Sequence, residues 1–554
     1  MGRATITEMV SRRLLFTLLG ISSLARPAVR PDGYVGSKAC FACHEGIYRE
    51  FLKTDMGRSM RAAADFDAAS LPSSASVSAG SSNRTLRVFH DQTGWHQSET
   101  QPDVFSEEHP LQYAIGSGAN GLTFLIRRGN YLFQAPLSFY SRAGKWDISP
   151  GYESADIGFT RAVPEACIAC HGGRPQPVAN RNGEYLDPPF AELAIGCENC
   201  HGPGAQHAMA TGRAPIVNPG KLPPRLGEQI CMNCHQRGDT RILQPGKAYA
   251  DFRPGQWLFD TLAIFKAPKK AGEGSESDLL EHDAAMKASR CFRETAGKLS
   301  CFSCHDPHRQ PRGSETASYY REKCLACHTD SSCRLAKEVR LKHNPSDDCA
   351  GCHMPKRDVG LISHSALTNH RIPARADEPM PQEEPPDSKT GLILVNRPAG
   401  RDAPVPDLTL LRAYSELGPH DTAYVRRYLE LLDRLSSQDG KEPFVQAALG
   451  HKALAEHKDE EALAHLTAAA PLDDPTVYRD TAQALINLGR APEAVDYLKR
   501  AQTVDPFNPV VQKTLILQYI NLKRYPDARQ AMEAYVKAFP ADTFMRSLLA
   551  RVSN

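Results

Sequence analysis

Residues 301–308 read Cys-Phe-Ser-Cys-His-Asp-Pro-His, and the first five of them decide how the rest of the chain is understood. The same pattern, two cysteines three positions apart followed at once by histidine, recurs six more times. The copies are CFACH at 40–44, CIACH at 167–171, CENCH at 197–201, CMNCH at 231–235, CLACH at 324–328 and CAGCH at 349–353. Together the seven pairs use 14 of the 16 cysteines and leave Cys291 and Cys333. Histidine makes up 20 of 554 residues, about 0.036, so chance placement after all seven pairs has a probability on the order of 10⁻¹⁰.

Zinc accounts for paired cysteines, and a histidine can join them, but zinc does not ask for histidine directly after every second cysteine. Iron–sulfur clusters ask for no histidine there at all. Cys-x-x-Cys-His is the attachment signature of c-type haem: two thiols reach two vinyl groups of one porphyrin, and the next residue brings its imidazole under the iron. The sequence therefore predicts seven covalently bound haems as cofactors. The attachment residues are Cys40, Cys43, Cys167, Cys170, Cys197, Cys200, Cys231, Cys234, Cys301, Cys304, Cys324, Cys327, Cys349 and Cys352. The proximal iron ligands are His44, His171, His201, His235, His305, His328 and His353.

Iron takes a second axial ligand unless it is to bind a substrate. The candidates near a signature are His207, His282, His308, His343, His364 and His370. His308 follows His305 by three residues, which span at most about 10–11 Å, too little to detour round a porphyrin edge. It is expected to serve a neighbouring haem, and His207 in CHGPGAQH likewise. Met56 and Met60 are the thioether alternatives, whereas His90, His96, His109, His420, His451, His457 and His465 are weaker candidates. Six good candidates for seven irons leave one short, and the first haem is the one expected to stay open. Cys291 and Cys333 are expected to form a disulfide in an oxidising compartment, with free thiols or a sulfur ligand as the alternative.

The last six signatures fall within residues 167–353, about 31 residues each. So little chain cannot build a large side-chain core, so short helices and loops wrapped round stacked haems are expected. The first two signatures start 127 residues apart. The gap holds a Ser/Ala-rich stretch at 70–83, expected as a loop, then strand-like runs at 86–89, 111–115, 122–126 and 131–140. Gly129-Asn130 supplies a hairpin turn. A small antiparallel β insert over 85–160 follows, with Trp95 and Trp146 as core.

Residues 374–406 are rich in proline and predict a linker. Beyond it the chain is rich in Ala and Leu. Ala462, Ala494 and Ala528 recur at spacings of 32 and 34, each followed four residues later by Leu466, Leu498 or Met532. Pro475, Pro506 and Pro540 are expected to close the units, and Gly489 to turn one helix into the next. That is the tetratricopeptide (TPR) pattern of paired helices, which stack into a solenoid that usually binds protein segments. A degenerate pair over 407–440 and a capping helix over 543–552 complete the array. The fold class is mainly α: a haem module at 31–373 with its β insert, a linker at 374–406 and an α-solenoid at 407–554.

Residues 1–25 show the basic, apolar and small-residue parts of a secretory signal peptide, so a periplasmic or otherwise exported protein, cell surface included, is expected. No other segment is long and apolar enough to span a bilayer. Sixty-six basic against 64 acidic side chains give a net charge of +2, which argues against nucleic acid as a partner.

Several phrases resemble one family. YVGSKACFACHEGIYREF at 34–51, CHGPGAQH at 200–207, CFSCHDPH at 301–308, LKHNPSDDCAGCHMP at 341–355 and HSALTNHRI at 364–372 are similar to multihaem cytochromes of the cytochrome c-554 and pentahaem nitrite reductase superfamily. A subgroup with a C-terminal TPR array looks closest. The resemblance implies that His207, His308, His343 and one of His364 or His370 are distal ligands to neighbouring haems. The chain departs from the catalytic relatives: it has no Cys-x-x-Cys-Lys site, and it has one attachment site fewer than octahaem hydroxylamine oxidoreductases. The leading expectation is electron transfer along packed haems, with the repeats docking a redox partner protein. The alternative is an oxidoreductase acting on a small nitrogen or sulfur compound at one open haem.

Overall fold

The computed structural model describes residues 32–554 except 67, 80–82, 153–157, 269–280, 357–366, 376, 380–385, 388–389, 401–403, 439 and 554. The expected signal peptide at 1–25, His364 and part of the expected linker lie outside the described residues.

Each signature sits on, or at the end of, a short helix. The carriers are Phe41–Phe51, Glu165–His171, Cys197–His201, Pro224–His235, Cys301–Cys304, Glu315–Leu325 and Cys349–His353. Between the first and second lies more sheet than the sequence predicts. Strand β1 (Met60–Ala62) is followed by β2 (Ser74–Ala79), β3 (Arg84–Asp91), β4 (Gly94–Gln101) and β5 (Phe105–Pro110). Then come β6 (Tyr113–Ile115), β7 (Gly121–Arg128), β8 (Tyr131–Gln134), β9 (Leu137–Tyr140) and β10 (Lys145–Ile148). Strands β2-β3-β4-β5 make one antiparallel sheet; β1-β6-β7-β9-β10, with β8 on β7, make a second.

Within the stretch expected as a loop, residues 74–79 instead form strand β2, and the insert begins before residue 85. Small residues alternate there: Ala75 and Val77 pack on the core while serines take the positions between, and six residues pair with β3. Trp95, Phe124, Phe133, Trp146 and Phe159 fill the core between these strands. Further strands stand outside the insert, as β11 (Arg174–Pro177) with β12 (Tyr185–Glu192), and β13 (Thr240–Leu243) with β14 (Leu262–Lys266).

The expected linker is corrected as well. Ile393–Leu394 forms β15 on the edge of β14, Leu392 is fully buried, and the Asn396 side chain accepts from Ile264 N at 2.9 Å and donates to Leu262 O at 2.7 Å. The apolar run Gly391-Leu-Ile-Leu-Val395 lies among the prolines of this segment, and burial of its leucines outweighs the prolines' preference for open chain.

After residue 406 the chain is helical. A first pair, Asp407–Leu417 and Thr422–Gln438, precedes three hairpins: Pro443–Ala455 with Asp459–Ala468, Pro475–Asn487 with Ala491–Val504, and Pro509–Asn521 with Tyr525–Ala538. Helix Thr543–Ser553 closes the array. Ala462, Ala494 and Ala528 are at most 1% exposed, and Leu466, Leu498 and Met532 are fully buried, so small residues let the helices approach where large ones fill the interior. Gly450 faces Leu466 so closely that a Cβ there would lie 2.5 Å from Leu466 Cγ. Gly489 turns the second hairpin with φ +75°. Pro475 opens a unit rather than closing one: it is the first helical residue after Asp474, whose carboxylate accepts from Thr476 N and Val477 N.

The array is not a tethered appendage. One core joins Phe259, Ala263 and Phe265 around β14 with Leu392 and Leu394, then Leu411, Tyr414, Leu432 and Val445 of the first helices. The hairpin ends meet the β insert and the connection between β11 and β12. Phe507 packs on Phe133 and Tyr131 with ring centroids 4.7 and 5.3 Å apart, Arg181 pairs with Asp473 at 2.8 Å, and Arg128 donates to Ala538 O at 3.4 Å. Among the described residues no helix is long and apolar enough to cross a membrane.

Candidate functional site: a cavity lined by seven signatures

All seven signatures open onto one continuous cavity of about 5090 Å³. Its wall includes His44, His171, His201, His235, His305, His328 and His353, and 13 of the 14 signature cysteines, all but Cys43. His207, His282, His308, His343 and His370 line it too, as do Cys291 and Cys333. Met56 lines it, whereas Met60 is 1% exposed and packed with Leu125 and Leu132.

The short helices put neighbouring signatures thiol to thiol. Cys40 lies beside Cys197, Cys170 beside Cys234, and Cys231 beside Cys301. Cys324 lies against Cys349. Signatures distant in sequence, such as the first and third, are therefore adjacent in space.

The histidines meet across signatures as well. His44 faces His207 with ring centroids 6.5 Å apart and planes 12° from parallel; His201 faces His308 at 5.9 Å and 13°. His305 and His370 stand 6.2 Å apart at 33°, and His282 touches both His235 at 5.2 Å and His370 at 4.7 Å. Parallel rings in face contact sit near the short end of the roughly 4.5–7 Å range of aromatic pairs. A metal held between two imidazole nitrogens, with bonds of about 2 Å each, spreads the ring centres to roughly 6 Å. His308 thus lies beside His201 of another signature, not over the His305 that precedes it.

The ring nitrogens are committed in the way metal ligation requires. Nδ1–H donates to a backbone carbonyl in His201 (Val217 O, 2.8 Å), His207 (Ala214 O, 2.7 Å), His353 (Pro373 O, 2.9 Å) and His370 (Thr368 O, 2.9 Å). That fixes the tautomer and leaves each Nε2 lone pair for a ligand's metal. Burial, reinforced by neighbouring imidazoles, pushes His282 down to about 3 and His305 to about 4, and lowers His235. Burial also lowers His201 and His370. Neutral imidazole is the form that binds iron.

Among the described residues no three His, Cys, Asp or Glu side chains converge as a metal cluster. A protein-only tetrahedral zinc site is therefore not formed by them. The wall also carries guanidinium groups that the sequence did not single out, among them Arg58, Arg61, Arg142, Arg237, Arg241 and Arg293, suited to carboxylates of a bound group.

Two expectations change here. The first signature was expected to hold the open iron, yet it has His207 opposite its own histidine, because the helix Ala205–Met209 returns to the side of the chain's first helix. Cys291 and Cys333 are free thiols rather than a disulfide; Cys291 lies near Cys304 and Cys327, and Cys333 near Arg340. Five of the weaker histidines are engaged elsewhere. His90 packs on Trp95, His96 lies 2.7 Å from the Thr93 hydroxyl, His109 3.0 Å from Glu107, His451 3.3 Å from Asp480, and His465 2.8 Å from Gln446.

No family model matches the chain, and no curated protein does. Solved structures similar to part of it include the Arabidopsis OM64 TPR domain, at 20% identity and TM-score 0.19, covering 20% of this chain and 93% of that one. YrrB, a TPR protein with an unusual peptide-binding site, matches at 14% identity and TM-score 0.24, with 27% and 75% covered. MamA of MSR-1 matches at 24% identity and TM-score 0.21, with 25% and 77% covered. The described helices form a C-terminal TPR-type series.

Proposed function

We propose that the chain is an exported c-type cytochrome that carries seven covalent haems and passes electrons, with its TPR array docking a protein partner. The observation that carries this reading is the single cavity onto which all seven Cys-x-x-Cys-His signatures open. Its 5090 Å³ shared among seven is about 730 Å³ each, inside the range of roughly 300–1,000 Å³ for cofactor sites. Bound haem supplies reversible one-electron chemistry at iron.

The chain's own residues supply everything else. The paired thiols would anchor each group, and the following histidine would ligate it. His207, His308 and His370 would be the second ligands for the first, third and fifth signatures, whose histidines stand 5.9–6.5 Å from them, and His282, 5.2 Å from His235, would serve the fourth. The backbone carbonyls on Nδ1 hold the rings at fixed angles. Thiol contacts between signatures bring the attachment points close enough for edge-to-edge transfer along the module. Val510 and Leu517, 55% and 54% exposed on helix Pro509–Asn521, give the array an apolar face for a partner segment.

The test is the spin state of the exported, purified chain. Electron paramagnetic resonance is expected to show the histidine-paired irons as low-spin, with no turnover of nitrite, hydroxylamine or tetrathionate by the reduced protein. A dominant high-spin signal together with turnover of one of these would replace electron transfer by the oxidoreductase reading.

A further inference from the structure

One wall of the cavity is made not by signature helices but by the β insert, and its charge is unbalanced. Arg61 in β1, opposite Ala114 of β6, lies beside Arg58, and both line the cavity. Asp55 accepts from Arg58 at 3.1 Å, but it is shared: Gln310 donates to it at 2.7 Å and Arg312 stands 3.5 Å away. Arg61 is left with the face of Phe66, 3.8 Å beneath its guanidinium. Among the described residues it forms no ion pair, and its Nε is buried without a hydrogen-bond partner. Burial and the like charge of Arg58 both disfavour the charged form of Arg61, and they outweigh the attraction of Asp65. A partly buried guanidinium stays charged at little cost only when an anion faces it.

The turn between β6 and β7 closes this side of the cavity. Gly116 and Gly118 take φ of +107° and +86°, and a Cβ on Gly116 would lie 2.6 Å from Gly121 O. Gly116 N donates to Ser59 O at 2.7 Å, which sets this turn beside the segment that carries the two arginines.

We propose that Arg58 and Arg61 form an oxyanion-binding subsite on the β-sheet wall of the cavity, built for a carboxylate or a small inorganic oxyanion. Two planar guanidinium forks match such a group, and Phe66 holds Arg61 in place for it. The carboxylate is either a porphyrin propionate or an anion from solution. The propionate source rests on the haem reading; the external source does not.

The experiment titrates sodium sulfate into the purified full-length chain by calorimetry and measures haem midpoint potentials in the same preparations. Wild type is compared with Arg61→Met, Arg61→Lys and Arg58→Met, and tryptophan fluorescence melts confirm folding through Trp95, which is 3% exposed. If the anion comes from solution, one sulfate binds, Arg61→Met weakens it about tenfold or more, and Arg61→Lys keeps most of the affinity. If it is a propionate, no sulfate binds, Arg61→Met lowers the midpoint potential of one haem, because a cation that disfavoured the oxidised iron is gone, and Arg61→Lys restores it. Either result identifies an anion at the arginines. The proposal is overturned if Arg61→Met and Arg58→Met both fold while sulfate binding and every midpoint stay unchanged. A chain that purifies without haem absorbance fails the haem reading instead, and the sulfate titration then decides the subsite alone.

Discussion

The two halves of this molecule solve the problem of an interior differently. In the repeat array, side chains fill their own space: Ala462, Leu466, Ala494, Leu498 and Met532 are fully buried, and each hairpin closes on the next. In the signature module, short helices surround a cavity of about 5090 Å³ whose wall is thiols, imidazoles and guanidiniums. Hydrophobic burial holds the first together by its own residues. The second leaves that interior open, the space that the proposed haems would fill.

The most severe way to break this comparison is to make the protein without haem attachment. Limited proteolysis of that material is expected to degrade residues 160–372 and to leave a resistant fragment spanning Pro475–Ser553, whose core cluster draws only on array residues. Equal protection of both regions would show that the cavity stands on its own. Leu498→Ala, in the other half, is expected to destabilise the array by about 2–5 kcal/mol while haem absorbance stays unchanged, as thermal melts and optical spectra would record. Loss of haem absorbance in the folded variant would mean that the array holds the cavity open.

The contact between the halves is open to smaller changes. Phe507→Ala removes two aromatic contacts with Tyr131 and Phe133. Since Phe507 is only partly buried, about 1–2 kcal/mol is expected rather than the 3–5 of a fully buried ring. Denaturant unfolding followed by tryptophan and by far-ultraviolet dichroism would then separate into two transitions, where the wild type shows one. Arg181→Ala breaks the 2.8 Å pair with Asp473, whose partners are 23% and 41% exposed, and is expected to cost about 0.2–1 kcal/mol, less at high salt. A loss above 2 kcal/mol would show that this edge carries the docking.

Legibility in the sequence followed the same divide. The repeats were readable because periodicity and packing are the same fact there: Ala at the crossings and Leu four residues on had to be buried, and Pro475 alone was misplaced within its unit. In the module, the motif was readable and the shape was not. Cys-x-x-Cys-His is recognised locally, whereas the meeting of His44 with His207, or Cys40 with Cys197, joins positions more than 150 residues apart. Strand β2 was missed because its serines and alanines carry a weak pattern, and β15 because the prolines around it speak for open chain. Arg61 was invisible because its distinction is the partner it lacks, which only three dimensions reveal.

The most direct measurement of the central claim is the haem stoichiometry of the exported, purified chain, from its intact mass and its pyridine haemochrome absorbance together. Seven covalent haems per chain is the result this account predicts. A chain of the bare polypeptide mass, folded and free of haem, would contradict it.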